Sequence, residues 1–236
     1  MGKTKIEWAT HSLNFIKWFC TKVSPGCKNC YMMSLAQRYP AAAADEPVWR
    51  PKAEQELKSL PAGAEVFVGD MYDIFHEQMS LDFIQRHFDL CAARPDVTFL
   101  FLTKRIERAR ELAPGLNIQP HMWLGTSVEN SNYVWRIDVL RQIAGFGGRF
   151  ISAEPLLGAL GALDLTGIQQ VITGGESGDA RRSFYPAWAL QIRDQCSTYG
   201  TAFFHKQGGH RYPGKDRVID GQTYDALAWR QPGGLK

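Results

Sequence analysis

Glu65-Val66-Phe67-Val68-Gly69 and Val97-Thr98-Phe99-Leu100-Phe101-Leu102, with Ser80-Leu81-Asp82-Phe83-Ile84 between them, decide the fold. The two outer runs are short and continuously apolar. They do not alternate with polar residues, which suits strands buried on both faces, as in a parallel sheet. Between them Ser80 is placed to cap a helix whose apolar face is Leu81, Ile84, Phe88 and Cys91. A strand, a helix and a second strand in this order make a right-handed crossover between parallel neighbours.

The same unit recurs outward in both directions. Leu13–Phe19, Met122–Thr126, Arg149–Ser152, Gln170–Thr173 and Thr201–His205 read as further strands. Tyr133, Ile137, Leu140 and Ala144 make one more helical face; Pro186 opens another helix and Gly200 closes it. Ala41–Ala44, flanked by Pro40 and Pro47, reads as a surface connection. Six or seven such units predict an α/β fold, a partial parallel (βα)6-type barrel over residues 1–209 with a C-terminal extension over 210–236. A doubly wound sheet is the competing architecture, weakened by the absence of a Gly-x-Gly-x-x-Gly fingerprint.

At 236 residues the chain can bury a core without disulfide or metal staples. Hydrophobic residues at 44% and charged residues at 22% mark a globular chain. No apolar run reaches the roughly 18 residues of a membrane span, and the N-terminal residues show no signal-peptide core. No membrane partner is therefore expected. The net charge of +3 permits a nucleic-acid partner without arguing for one.

Five cysteines, an odd number in a long chain, point to a reducing compartment such as the cytoplasm. Cys91 and Cys196 lie at helical spacing among apolar residues and read as buried small hydrophobes. The other three crowd into Cys20-Thr-Lys-Val-Ser-Pro-Gly-Cys27-Lys-Asn-Cys30, where Pro25-Gly26 turns the chain just before Cys27. A zinc site needs a fourth ligand, which only His11 offers here, without a spacing that asks for it. A redox pair would leave Cys20 idle. Three thiolates on a four-iron cluster would leave one iron open. All three readings stay open on spacing alone.

In parallel α/β folds chemistry gathers at the C-terminal ends of the strands. Here those ends are polar: Gly69-Asp70-Met71-Tyr72-Asp73, Thr103-Lys104-Arg105, Thr126-Ser127-Val128-Glu129, Ser152-Ala153-Glu154, Gly174-Gly175-Glu176 and Lys206-Gln207. With the cysteine loop after the first strand, one polar rim is expected, suited to an enzyme site or a polar ligand pocket.

A three-cysteine loop after the first strand of a partial barrel resembles the radical S-adenosylmethionine (radical SAM) superfamily, although Cys20-x6-Cys27-x2-Cys30 departs from its usual Cys-x3-Cys-x2-Cys. The aromatic Tyr31 after the third cysteine fits that superfamily. More closely, the chain is similar to a small phage-associated three-Cys-motif family. The similarity rests on Lys22–Tyr31, Phe67–Glu77, Leu102–Arg105, Trp123–Asn130, Ser152–Gly158, Gly174–Gly178 and Phe204–Gln207. Leu13–Phe19 and Asp70 differ from that family's pattern.

The resemblance implies a four-iron, four-sulfur (4Fe-4S) cluster on Cys20, Cys27 and Cys30, whose open iron chelates S-adenosylmethionine. One-electron cleavage of that cofactor then gives a 5′-deoxyadenosyl radical. It assigns Tyr31, Gly69, Asp70, Lys104, Thr126, Ser127, Glu129, Ser152, Glu154, Gly174 and Gly175 to the adenosylmethionine. Asp70 would meet the amino group, Lys104 or Arg105 the carboxylate, and Gly174 and Gly175 the adenine. Asp73, Arg105, Glu176, Lys206, Gln207, His210 and Arg211 are left for substrate.

Some phage relatives accompany thymidine hypermodification. The resemblance therefore implies an isomerase-type rearrangement of a modified pyrimidine in DNA, with a flavodoxin or ferredoxin as electron donor, in the bacterial host cytoplasm. The basic segment His205–Arg217 is the expected phosphate track. A free nucleotide, a peptide or a small metabolite is the competing substrate. A zinc-stabilised nucleic-acid-binding module is the competing function of another class.

Overall fold

The computed structural model describes residues 3–230. Seven parallel strands lie in one sheet in chain order: β1 (His11–Leu13), β2 (Glu65–Val68), β3 (Thr98–Thr103), β4 (Met122–Ser127), β5 (Gly148–Ala153), β6 (Gln170–Gly174) and β7 (Ala202–Gln207). This is an α/β fold with the strand order of a partial barrel. The helices are α1 (Tyr31–Arg38), α2 (Lys52–Lys58), α3 (Leu81–Ala92), α4 (Ile106–Leu112), α5 (Trp135–Arg141) and α6 (Pro186–Tyr199). A short antiparallel ribbon, β8 (Val218–Ile219) and β9 (Gln222–Thr223), follows β7.

The chain forms two compact units, one of residues up to Leu124 with Ile143–Gly147, the other of Gly125–Gln142 with Gly148 onward. Residues 210–230 belong to the second unit and help to build it.

In the first unit β2 pairs with β1 and β3, in registers that set Leu13 beside Val68 and Val68 beside Phe101. All four residues of β2 are buried, as its unbroken apolar run requires. Ser80 caps α3 as expected, its Oγ accepting a 3.2 Å bond from the Phe83 amide. Ile84, Phe88 and Cys91 are buried, and Phe88 stacks on Phe101 with ring centroids 4.8 Å apart. Leu81, expected on the same face, is exposed: it stands at the first helical position, beyond the end of the packed stripe.

The first strand is shorter and earlier than Leu13–Phe19. Beyond Leu13 the chain leaves the sheet, and Ile16, Trp18 and Phe19 each make a single bridge, to Trp49, Ala43 and Tyr72 in turn. That stretch is apolar because three separate segments enclose it.

A buried polar chain crosses this unit. His87 Nδ1 donates to the Phe83 carbonyl, so its Nε2 accepts from the Tyr72 hydroxyl at 2.8 Å. Burial lowers the His87 pKa to about 4. The unfolded chain would take up a proton near pH 6.5, whereas the folded one resists until about pH 4. Stability is therefore full above pH 6.5 and falls as the pH drops through this window, by about 3 kcal/mol at most for this residue. Denaturation between pH 4.5 and 7 should show a steeper pH slope for the natural chain than for His87→Gln.

In the second unit β5, β6 and β7 pair in parallel, with Ser152 beside Ile172 and Ile172 beside Phe204. Pro186 opens α6, and Gly200 closes it in the left-handed conformation at φ +66°. Ala189, Ile192 and Cys196 are buried, but Tyr199, at the last helical position, is exposed. Ile137 and Leu140 of α5 are buried. Tyr133 and Ala144 fall outside that helix, before and after it, which shortens the expected face to Ile137 and Leu140. The free side of β7 is covered by the chain's own return: the His205 amide donates to the Tyr224 carbonyl at 2.9 Å, and Phe204 bridges Asp225 antiparallel.

Candidate functional site

The cysteine loop is anchored in the first unit by one cation. Arg105 follows β3 and its side chain is 5% exposed. Its Nε donates to both oxygens of Glu77 at 2.8 and 2.9 Å. Its Nη1 reaches Asp73 Oδ2 at 3.2 Å and Cys20 Sγ at 3.9 Å. Its Nη2 donates to Thr21 Oγ1 at 2.9 Å and to the Thr21 carbonyl at 3.3 Å. Arg105 is thus a positioning residue for the loop, and its donors are spent on protein groups.

Asp73 is likewise spent. Oδ1 accepts from Thr103 Oγ1 at 2.7 Å and the Phe75 amide at 3.1 Å, and Oδ2 from the Lys104 amide at 3.0 Å as well as Arg105. Asp73, expected to meet substrate, is thus held here by four protein donors. His76 completes the clamp. Its Nδ1 accepts from the Gln78 amide at 3.1 Å, leaving Nε2 to donate to Thr21 Oγ1 at 2.7 Å.

The three thiols have different surroundings. Burial, and then the Asp73 charge, push the Cys20 thiol up to about 11, with Arg105 opposing them. Burial also opposes ionisation of Cys27, but the Val23 backbone, the Lys104 charge and Ser24 outweigh it and hold that thiol below its ordinary value. Cys30 is the residue before α1, and its backbone is extended at φ −62° and ψ 127°. Tyr31, 50% exposed, donates from its hydroxyl to the Asp70 carbonyl at 2.6 Å, tying the cysteine loop to the loop after β2. The Asp70 carboxylate is raised, mainly by burial, and accepts from Asn14 Nδ2 at 2.6 Å. Gly69 precedes it at φ +79°. Among the described residues no three His, Cys, Asp or Glu side chains are grouped so as to hold a single metal ion. The donor set, three thiols on a short loop with Arg105 at one and Lys104 beside another, fits a thiolate-ligated iron cluster.

The second unit carries the remaining expected residues. Glu154 meets Lys206 Nζ at 3.2 Å and accepts from Ser152 Oγ at 3.4 Å. A Cβ on Gly174 would lie 2.6 Å from Glu154 Oε1, so these four residues form one polar cluster. A Cβ on Gly175 would lie 2.9 Å from the Gly208 backbone, so this glycine answers to the protein's own packing. Thr126 and Ser127 are buried on β4.

Glu129, fully buried, pairs with Arg136 Nη1 at 3.1 Å, and the same nitrogen donates to the Ser127 carbonyl at 2.8 Å. Glu176 accepts from the Arg182 amide at 2.8 Å and its Nε at 3.0 Å. Gln207 donates to the Gly175 carbonyl and accepts from the Gly214 amide, both at 2.8 Å. Glu129, Glu176 and Gln207, expected to meet ligand, are each held here by neighbouring protein groups. His210 is engaged locally with Tyr212, and Arg211 pairs with Asp179 at 2.9 Å. Arg217 pairs with Asp225, so much of the expected phosphate track is already neutralised.

Thr21, Asn14, His76 and Glu77 escaped the reading of the sequence. His76 and Glu77 lie inside the Phe67–Glu77 motif, which was the available signal; Thr21 and Asn14 gave none.

A family model described as a protein of unknown function (DUF5131) matches residues 3–231, and the chain belongs to that family. No curated protein and no solved structure matches the chain. No helix among the described residues is long and apolar enough to cross a membrane.

Proposed function

We propose that the chain is a radical S-adenosylmethionine enzyme that rearranges a modified pyrimidine base in DNA. The observation that carries the reading is the cysteine loop itself, three thiols on a short segment that Arg105 ties at Cys20 and Thr21 to the buried Asp73 carboxylate. Cys20, Cys27 and Cys30 would hold a 4Fe-4S cluster. With S-adenosylmethionine bound, the cluster supplies one-electron cleavage chemistry that ends in hydrogen abstraction from the substrate.

The chain's own residues hold and orient. Arg105 and His76 fix Thr21 and with it the loop's path. Lys104 favours the Cys27 thiolate, and Tyr31 braces the Asp70 loop. An isomerisation returns the abstracted hydrogen and needs no oxidant; the priming electron comes from a flavodoxin- or ferredoxin-type donor in the cytoplasm.

Anaerobic isolation tests this. The expected result is a brown protein with iron and sulfide that cleaves S-adenosylmethionine when reduced, and a product of unchanged mass. A colourless protein carrying zinc at all three loop cysteines overturns it.

A further inference from the structure

The first unit has a cleft of about 380 Å³ lined in part by Ser12, Asn14, Lys17, Trp18, Arg50 and Glu56, within the size range of small-ligand pockets. No residue of this lining belongs to the cysteine loop or to the expected ligand set. Arg50 is committed to Glu56 at 3.0 Å and to the Asn14 carbonyl, so those two charges cancel. Lys17 then leaves the cleft with one net positive charge, and it has no ion pair among the described residues.

Trp18 supplies a partly exposed aromatic ring, pinned by backbone bonds to Ala42 at 3.0 Å and from Ala44 at 3.1 Å. Its ring meets Tyr39 edge-on at 6.4 Å, and the Arg38 guanidinium lies 5.4 Å over the same Tyr39 ring. Arg38 too has no ion pair among the described residues. From Lys17 to Ala44 the chain holds Lys17, Lys22, Lys28 and Arg38 and not one Asp or Glu. Cations interleaved with exposed aromatic rings, without acids, are the composition of a single-strand binding face.

The cleft is also joined to the cysteine loop. Asn14 donates to Asp70, and the Asp70 carbonyl accepts from Tyr31, the neighbour of Cys30.

We infer that this face binds single-stranded pyrimidine DNA, one base lying on Trp18 in the cleft and its flanking phosphates on Lys17 and Arg38. The inference rests on the DNA reading above and moves the strand away from the C-terminal segment, where Arg211 and Arg217 are already paired.

Fluorescence anisotropy with labelled oligothymidylate over a salt series tests it, with iron content followed in every variant. Trp18→Leu is expected to weaken binding about tenfold, the loss of one stacked base. Lys17→Met and Arg38→Met should each lower the salt slope by about 0.7, one phosphate contact on a single strand, and Lys17→Arg should restore it. Arg211→Met should change nothing. Binding that ignores Lys17, Trp18 and Arg38 overturns this site and leaves the proposed function standing. Thymidine monophosphate competing as well as the strand overturns the strand and makes a lone nucleotide the ligand. No oligothymidylate binding by a protein that holds iron and cleaves S-adenosylmethionine overturns the site and the DNA substrate together, with the radical chemistry intact.

Discussion

Cys20→Ala, Cys27→Ala and Cys30→Ala are each expected to abolish iron retention and S-adenosylmethionine cleavage, while Cys91→Ala and Cys196→Ala keep both. The contrast follows from placement. Cys91 and Cys196 are buried in helices α3 and α6, where desolvation holds their thiols protonated and they act as small apolar side chains. Losing one costs about 1–3 kcal/mol of packing. Two of the loop cysteines lie beside cations, Cys20 by Arg105 and Cys27 by Lys104, and a cluster on three protein ligands could not spare one. Iron and sulfide analysis with visible absorption on the five variants checks this. Iron kept by any of the three loop variants would remove that cysteine from the ligand set.

Arg105→Met is expected to cost about 3–5 kcal/mol, the usual loss when one partner of a buried ion pair is removed and the other stays charged. Asp73 would keep three neutral donors, but its Oδ2 would lose the guanidinium opposite it, and Thr21 would lose both guanidinium bonds. The loop should therefore loosen, and iron occupancy should fall along with stability. Arg136→Met supplies the comparison. It breaks the equally buried pair with Glu129 and should cost a similar amount by urea denaturation, yet keep its iron. If both variants retain iron alike, Arg105 supports the fold alone and does not position the cysteines.

The strands were legible where burial on both faces forces an unbroken apolar run, as in Glu65–Val68 and Thr98–Thr103. The stretch after Leu13 misled for the opposite reason. Phe15, Ile16 and Phe19 are as buried as any strand residue, but against loops, and hydrophobicity alone does not tell a ladder from an enclosure. At the strand ends the residue types were legible and their partners were not. Asp73, Glu129 and Glu176 look like ligand groups in a sequence, but an acid there satisfies neighbouring amides and arginines as readily as it meets a substrate. The cleft went unread because residues 12–18 and Glu56 are remote along the chain and are brought together where Trp49 bridges Ile16 and Arg50 meets Asn14 and Glu56.

The return of the chain along β7 bears on how this protein behaves when cut. A strand at the border of a sheet displays a row of free amides and carbonyls that recruits other strands, and proteins that leave such a row open tend to associate. Here Tyr224 and Asp225 occupy part of it. A version ending at Gly209 would also strip away Ile219 and Leu227, both buried. The C-terminal extension therefore covers part of this border, and shortened forms should be judged by their state of aggregation before anything is concluded about their chemistry.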